Sequence, residues 1–152
     1  MGGLVALLYA EQNPDKIAGF VNVEGNLAPE DCMFSRNAIP HSYSHFESIV
    51  FPQIKSAISQ RRTRIYDYSF QTVDYSDHGN LLQRFLSLQV PKCFLYGSEN
   101  RHLSYLQRLL ASECTVVEIP NANHFLFYDQ PNHYAAALAS FAGNLFPPRE
   151  TP

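Results

Sequence analysis

Apolar residues fall on nearly every side of the stretch Leu4 to Gln12, and the small residues Gly2, Gly3 and Ala6 stand at its start. That pattern predicts a helix buried on most sides and lying close against other backbone. Asn13-Pro14-Asp15 stops it, because proline disfavours helix in the residue before it. Ile17 to Val23 is a short apolar run rich in β-branched residues and predicts a buried strand, ended by Glu24-Gly25-Asn26. Val90 to Tyr96 and Cys114 to Ile119 predict two more strands of the same kind. Between them, Leu103, Leu106, Leu109 and Leu110 share one face of a helix predicted over Leu103 to Ala111. Asn132 caps a last helix from about His133 to Leu145, which Pro147-Pro148 closes.

Strands that alternate with helices predict an α/β fold with a parallel sheet. Its three strands lie at about 17–23, 90–96 and 114–119. The middle, residues 28–89, breaks the alternation. It carries Phe34, Tyr43, Phe46, Phe51, Tyr66, Tyr68, Phe70, Tyr75 and Phe85 but no buried-strand pattern. Helices are expected near His45 to Gln60 and Gly79 to Leu88. The segment reads as an insertion folded over the sheet's edge.

Composition narrows the functional classes. The chain has 152 residues, 45% of them hydrophobic, which suffices for one domain with a core. Its 11 Phe and 9 Tyr exclude a disordered chain. A net charge of −3 with no basic stripe argues against nucleic acid; the one dense basic group, Arg61, Arg62 and Arg64, reads as a solvated helix end. The longest apolar run, Met1 to Ala10, is too short to span a membrane and has no basic lead-in of a signal peptide. Cys32, Cys93 and Cys114 are few, odd in number and far apart, which fits a reducing compartment and a cytoplasmic protein. No cysteine pair has zinc-ligand spacing, and His41 and His45, though four apart, have no third ligand; no metal or cofactor is expected.

Two turns carry candidate chemistry. Asn121-Ala122-Asn123-His124-Phe125 directly follows the third predicted strand, and catalytic groups of open α/β sheets collect at the carboxyl ends of strands. A histidine there can serve as general base near neutral pH. Gly97-Ser98-Glu99-Asn100 follows the second strand; its glycine allows a sharp turn, and Glu99 could orient a histidine. Glu24 sits one residue past an apolar run, where a half-buried carboxylate needs a partner, and is the more informative acid of the two.

These pieces together resemble the carboxyl-terminal half of an α/β-hydrolase. In that family a Gly-x-Ser-x-Gly elbow precedes a buried helix. Met1-Gly2-Gly3-Leu4-Val5-Ala6 resembles the residues just after that serine, and His124 in Pro120-x-x-x-His124-Phe125 matches the family's base. The resemblance spans essentially the whole chain. It implies that residues 1–27 and 90–152 are the hydrolase core and that 28–89 are a helical cap. It implies an esterase-like Ser-His-acid mechanism on a small apolar substrate, with Phe125, Phe127 and Tyr128 at the substrate pocket and Met1 at the oxyanion-hole position.

The departures from the family shape further expectations. No serine precedes Gly2, so the chain alone is expected to lack esterase activity. A family nucleophile of the Asp kind, which attacks halides or epoxides, stays open for the same reason. Where the family places an acid after the penultimate strand, this chain has Asn100; Glu24, at the end of the strand after the first helix, is favoured over Glu99 as the acid. A non-catalytic product of the fold, acting as an interaction module, is the alternative, and a small α/β binding protein unrelated to hydrolases is a third. Without a strand beside it, the edge of the first strand is expected to invite self-association.

Overall fold

The computed structural model describes residues 2–32, 35–36, 39–50 and 62–147. In chain order the elements are α1 (Gly2–Gln12), β1 (Phe20–Val23), α2 (Tyr43–His45), α3 (Arg62–His78), α4 (Leu81–Ser87), β2 (Lys92–Gly97), α5 (Leu106–Leu110), β3 (Thr115–Ile119), α6 (Leu126–Asp129) and α7 (Pro131–Leu145). They fall into two units, one of Gly2–Gly25 with Leu82–Pro152 and one of Asn26–Leu81. Among the described residues, no helix is long and apolar enough to cross a membrane.

The first unit is an α/β layer structure. Its sheet has the order β1-β2-β3, and both pairings are parallel. Phe20 lies beside Lys92 and Val23 beside Leu95; Cys93 lies beside Thr115 and Gly97 beside Ile119. The strands are apolar because helices cover both faces. On one face Cys93, Leu95 and Ile119 pack with Leu126 and with Phe141 of α7. That helix comes so close that a Cβ on Gly19 would meet Leu145 at 2.6 Å. On the other face Phe94 meets Tyr105 edge-on at 5.8 Å, and Phe20 meets Phe85 of α4 at 5.7 Å. α1 lies on that face too: a Cβ on Gly25 would meet both Asn22 and the Gly3 backbone at about 3 Å, the close backbone approach its small residues predict. A two-pronged ion pair from Arg84 to Glu11, 2.7 and 2.5 Å, ties α4 to α1.

The strands start later than the apolar runs that predict them. Ladder pairing begins where the Phe20 N–H donates to the Pro91 carbonyl, and Ile17 to Gly19 lead in. α5 is shorter than the expected Leu103 to Ala111, and α7 starts two residues earlier than expected, because Pro131 suits a first helical turn. α4 occupies part of the expected middle segment, yet Phe85 packs it into the sheet unit.

The second unit is helical. A 3₁₀ turn, Pro29–Cys32, packs on α3. Asp31 holds the turn by accepting the N–H groups of Leu27 and Ala28 at 2.8 and 2.9 Å. α3 was not expected from the apolar pattern. Among its described side chains, residues 67–78, the buried positions are Ser69, Thr72 and Ser76, a polar stripe at helical spacing. Buried hydroxyls need partners: Thr72 Oγ1 donates to the Tyr68 carbonyl at 2.7 Å, and Ser76 Oγ lies 2.7 Å from Cys32 Sγ. Of the helix expected near His45 to Gln60, the structure holds α2 and a wide helical turn over Phe46–Val50; residues 51–61 lie outside the described residues.

Candidate active site

The carboxyl ends of β1, β2 and β3 bring three turns of the sheet unit together. The first begins at Glu24, directly after β1. Its N–H still follows the sheet and donates to the Leu95 carbonyl at 3.1 Å. Its φ is then 43°, in the left-handed region. For a residue with a Cβ that costs about 1–2 kcal/mol, and it persists only where surroundings over-determine it.

The second turn, Ser98–Asn100, supplies those surroundings. The Gly97 N–H donates to Oε1 of Glu24 at 2.8 Å. Asn100 Nδ2 donates to Oε1 at 2.8 Å and to Oε2 at 3.0 Å. The side chain of Glu24 is only 5% exposed, so these donors replace the water that its charge has lost. Arg101, next in the chain, grips Glu118 of β3 with two contacts of 2.7 and 2.5 Å, and Tyr96 donates its hydroxyl to the same carboxylate at 2.9 Å. This anchors the turn against the sheet.

The third turn carries His124. Asn121 enters it with φ 51°, and its N–H donates to Ser98 Oγ at 2.9 Å. The Glu99 N–H donates to the Ala122 carbonyl at 3.2 Å. The turn therefore lies directly on Gly97, where a Cβ would stand 2.2 Å from the Ala122 oxygen. Gly97 itself has an ordinary extended backbone, φ −82°, so its glycine answers this close approach and not a sharp turn. Asp129 accepts the Asn123 N–H at 2.8 Å, and Asn123 Oδ1 accepts the His124 N–H at 2.7 Å.

Nδ1 of His124 lies 3.0 Å from Oε2 of Glu24. The carboxylate can only accept there, which fixes the proton on Nδ1 and makes Nε2 the basic nitrogen. The imidazole is 60% exposed while its acid is buried. Burial pushes the Glu24 carboxyl up, but the hydrogen bonds from His124, the Gly97 N–H and Asn100, with the charge of His124, outweigh it and hold the carboxyl below the usual range.

The structure thus brings Glu24 to His124 and does not bring Glu99 there. Glu99 is exposed on the outer side of its turn, where its charge acts on Arg101. Phe125, Phe127 and Tyr128 are 57%, 44% and 77% exposed and form a cluster of edge-on and tilted rings beside the imidazole, with Phe125 5.1 Å from it. Met1 lies outside the described residues. Of the three cysteines, all unpaired and buried, Cys93 and Cys114 stay thiols, since burial pushes them up to about 12 and about 11. Asn100, Asn123 and Asp129 had no assigned task in the sequence; the one available signal was Asn100 standing where an acid is usual.

No protein-family model matches the chain. A stretch of it is similar to the 1-acylglycerol-3-phosphate O-acyltransferase ICT1 of Saccharomyces cerevisiae, 37% identical in an alignment of 65 residues covering 38% of this chain and 16% of the yeast protein. Among solved structures, NosK from Streptomyces actuosus superposes with a TM-score of 0.64 at 18% identity, covering 95% of this chain and 66% of NosK. The likeness to NosK is one of fold. This chain spans less than two thirds of either protein.

Proposed function

We propose that the chain carries the base and the acid of a Ser-His-acid centre for acyl transfer or ester hydrolysis, of the α/β-hydrolase kind. The observation that carries the reading is the 3.0 Å contact of Glu24 with His124 at the carboxyl ends of the sheet. His124 is the base, and Glu24 holds its tautomer and balances the imidazolium. The 152 residues contain no Gly-x-Ser-x-Gly, so the reading requires a nucleophile contributed by residues ahead of Gly2 in a longer chain.

The chemistry takes two steps. The serine oxygen bonds to the acyl carbon as its proton passes to Nε2 of His124. The ester C–O bond then breaks, and His124 returns the proton to the departing alkoxide. Water or an acceptor alcohol reverses these steps and frees the acyl group. The choice between water and alcohol separates a hydrolase from an acyltransferase, and the O-acyltransferase activity in the yeast relative's name favours acyl chains as the transferred group. The exposed rings of Phe125, Phe127 and Tyr128 support an apolar substrate. The free buried thiols support a reducing, cytoplasmic setting.

The test is to read the coding sequence upstream of Met1 and to express the longest in-frame chain. The reading expects a Gly-x-Ser immediately before Met1 and turnover of an activated acyl ester. His124→Ala should cut that turnover by about a thousandfold or more. An in-frame stop codon contradicts it and leaves a non-catalytic module, and turnover indifferent to His124→Ala contradicts the role of His124 as base.

A further inference from the structure

The donor that touches both halves of the site is the side-chain amide of Asn100. We propose that Asn100 is a positioning residue, whose amide holds the Glu24 carboxylate square to Nδ1 of His124 and ties that carboxylate to the turn bearing the imidazole. This rests on the reading of Glu24 and His124 as acid and base.

Its Nδ2 group has two protons and three acceptors within reach. Two are the Glu24 oxygens, at 2.8 and 3.0 Å, and the third is Asn123 Oδ1 at 3.3 Å. Asn123 Oδ1 also accepts the His124 N–H, so Asn100 touches the acid and the group that orients the base's own backbone. The three acceptors fix the amide's orientation, because the flipped form would aim its oxygen at a carboxylate. An acid at this position, as the sequence resemblance would have it, would set two carboxylates against each other. An amide there lets the charge reside on Glu24. The left-handed backbone of Glu24 makes such a clamp necessary, since Glu24 would otherwise relax to an unstrained φ and withdraw its carboxylate.

Among the described residues, Asp129 bonds the Asn123 N–H within the His124 turn, and Glu99 is exposed on the neighbouring turn. Both remain in every variant of the test. The full chain is treated with diethyl pyrocarbonate, which modifies neutral imidazole, across a range of pH. The rate at His124 is read by peptide mass spectrometry, which separates it from the other histidines. Glu24→Gln should move the midpoint of the His124 profile down by about one pH unit, through loss of the anion. Asn100→Ala and the shape-preserving Asn100→Leu should move it most of the way to the Glu24→Gln value. A purely structural role would lower the melting temperature and leave the midpoint alone. If Glu24→Gln shifts the midpoint and neither Asn100 variant does, the clamp is wrong while the acid–base reading stands. If Glu24→Gln leaves the midpoint in place, the acid–base reading fails and takes the clamp with it.

Discussion

Glu24 Oε2 and His124 Nδ1 stand 3.0 Å apart although 100 positions of sequence separate them. The sheet makes this possible, because parallel β1 and β3 flank β2 and end on the same side. The contact has a cost and a gain. The left-handed backbone at Glu24 is strained, and three kinds of donor offset that strain only while the carboxylate is charged.

Acid should therefore weaken the fold through Glu24. Its carboxyl lies below the ordinary value of 4.5 in the folded chain. A depressed acid contributes stability that is complete above the ordinary value and is lost as pH falls through the folded one. Each pH unit of depression is worth about 1.4 kcal/mol. Urea midpoints measured between neutral pH and about pH 3 should fall more steeply for the native chain than for Glu24→Gln. Parallel slopes would contradict the account.

Two glycine substitutions should have opposite signs. Gly97→Ala drives a methyl into the Ala122 carbonyl, 2.2 Å away, and must displace the His124 turn. A loss of about 2 kcal/mol or more is expected in chemical denaturation. Gly143 lies within α7 with nothing within 4 Å of a Cβ. Gly143→Ala should stabilise by about 0.5–1 kcal/mol, because alanine is the better helix former. Equal effects would show that the close approach at Gly97 is misjudged.

β1 has a strand neighbour on one side only among the described residues. An apolar edge strand is a template for pairing with another chain. The exposed Val5 and Tyr9 on α1 add apolar surface to the same unit. The isolated chain is expected to self-associate in sedimentation at micromolar concentration, and a concentration-independent monomer would contradict this.

The sheet was legible because its strands are short apolar runs between turn residues, and a buried parallel strand has to be such a run. Glu24 was legible as a carboxylate one step beyond such a run. The task of Gly97 was not, since it depends on the Ala122 carbonyl arriving from another turn. α3 was hidden for a different reason. Over its described side chains, residues 67–78, the buried stripe is Ser69, Thr72 and Ser76, so apolar periodicity had nothing to find there. Asn100 acts on Glu24 and Asn123 through contacts between turns, and its spacing in the chain gives no hint of those contacts; Asp129 instead reaches back from α6 to the Asn123 N–H of its own turn.

The pairing of Glu24 with His124 can be observed through the proton they share. In the chain labelled with nitrogen-15 histidine, the Nδ1 proton of His124 should give a strongly deshielded resonance in proton NMR. The account predicts that it persists in Glu99→Gln and disappears in both Glu24→Gln and His124→Ala. A resonance that survives Glu24→Gln, or one lost in Glu99→Gln, would contradict it.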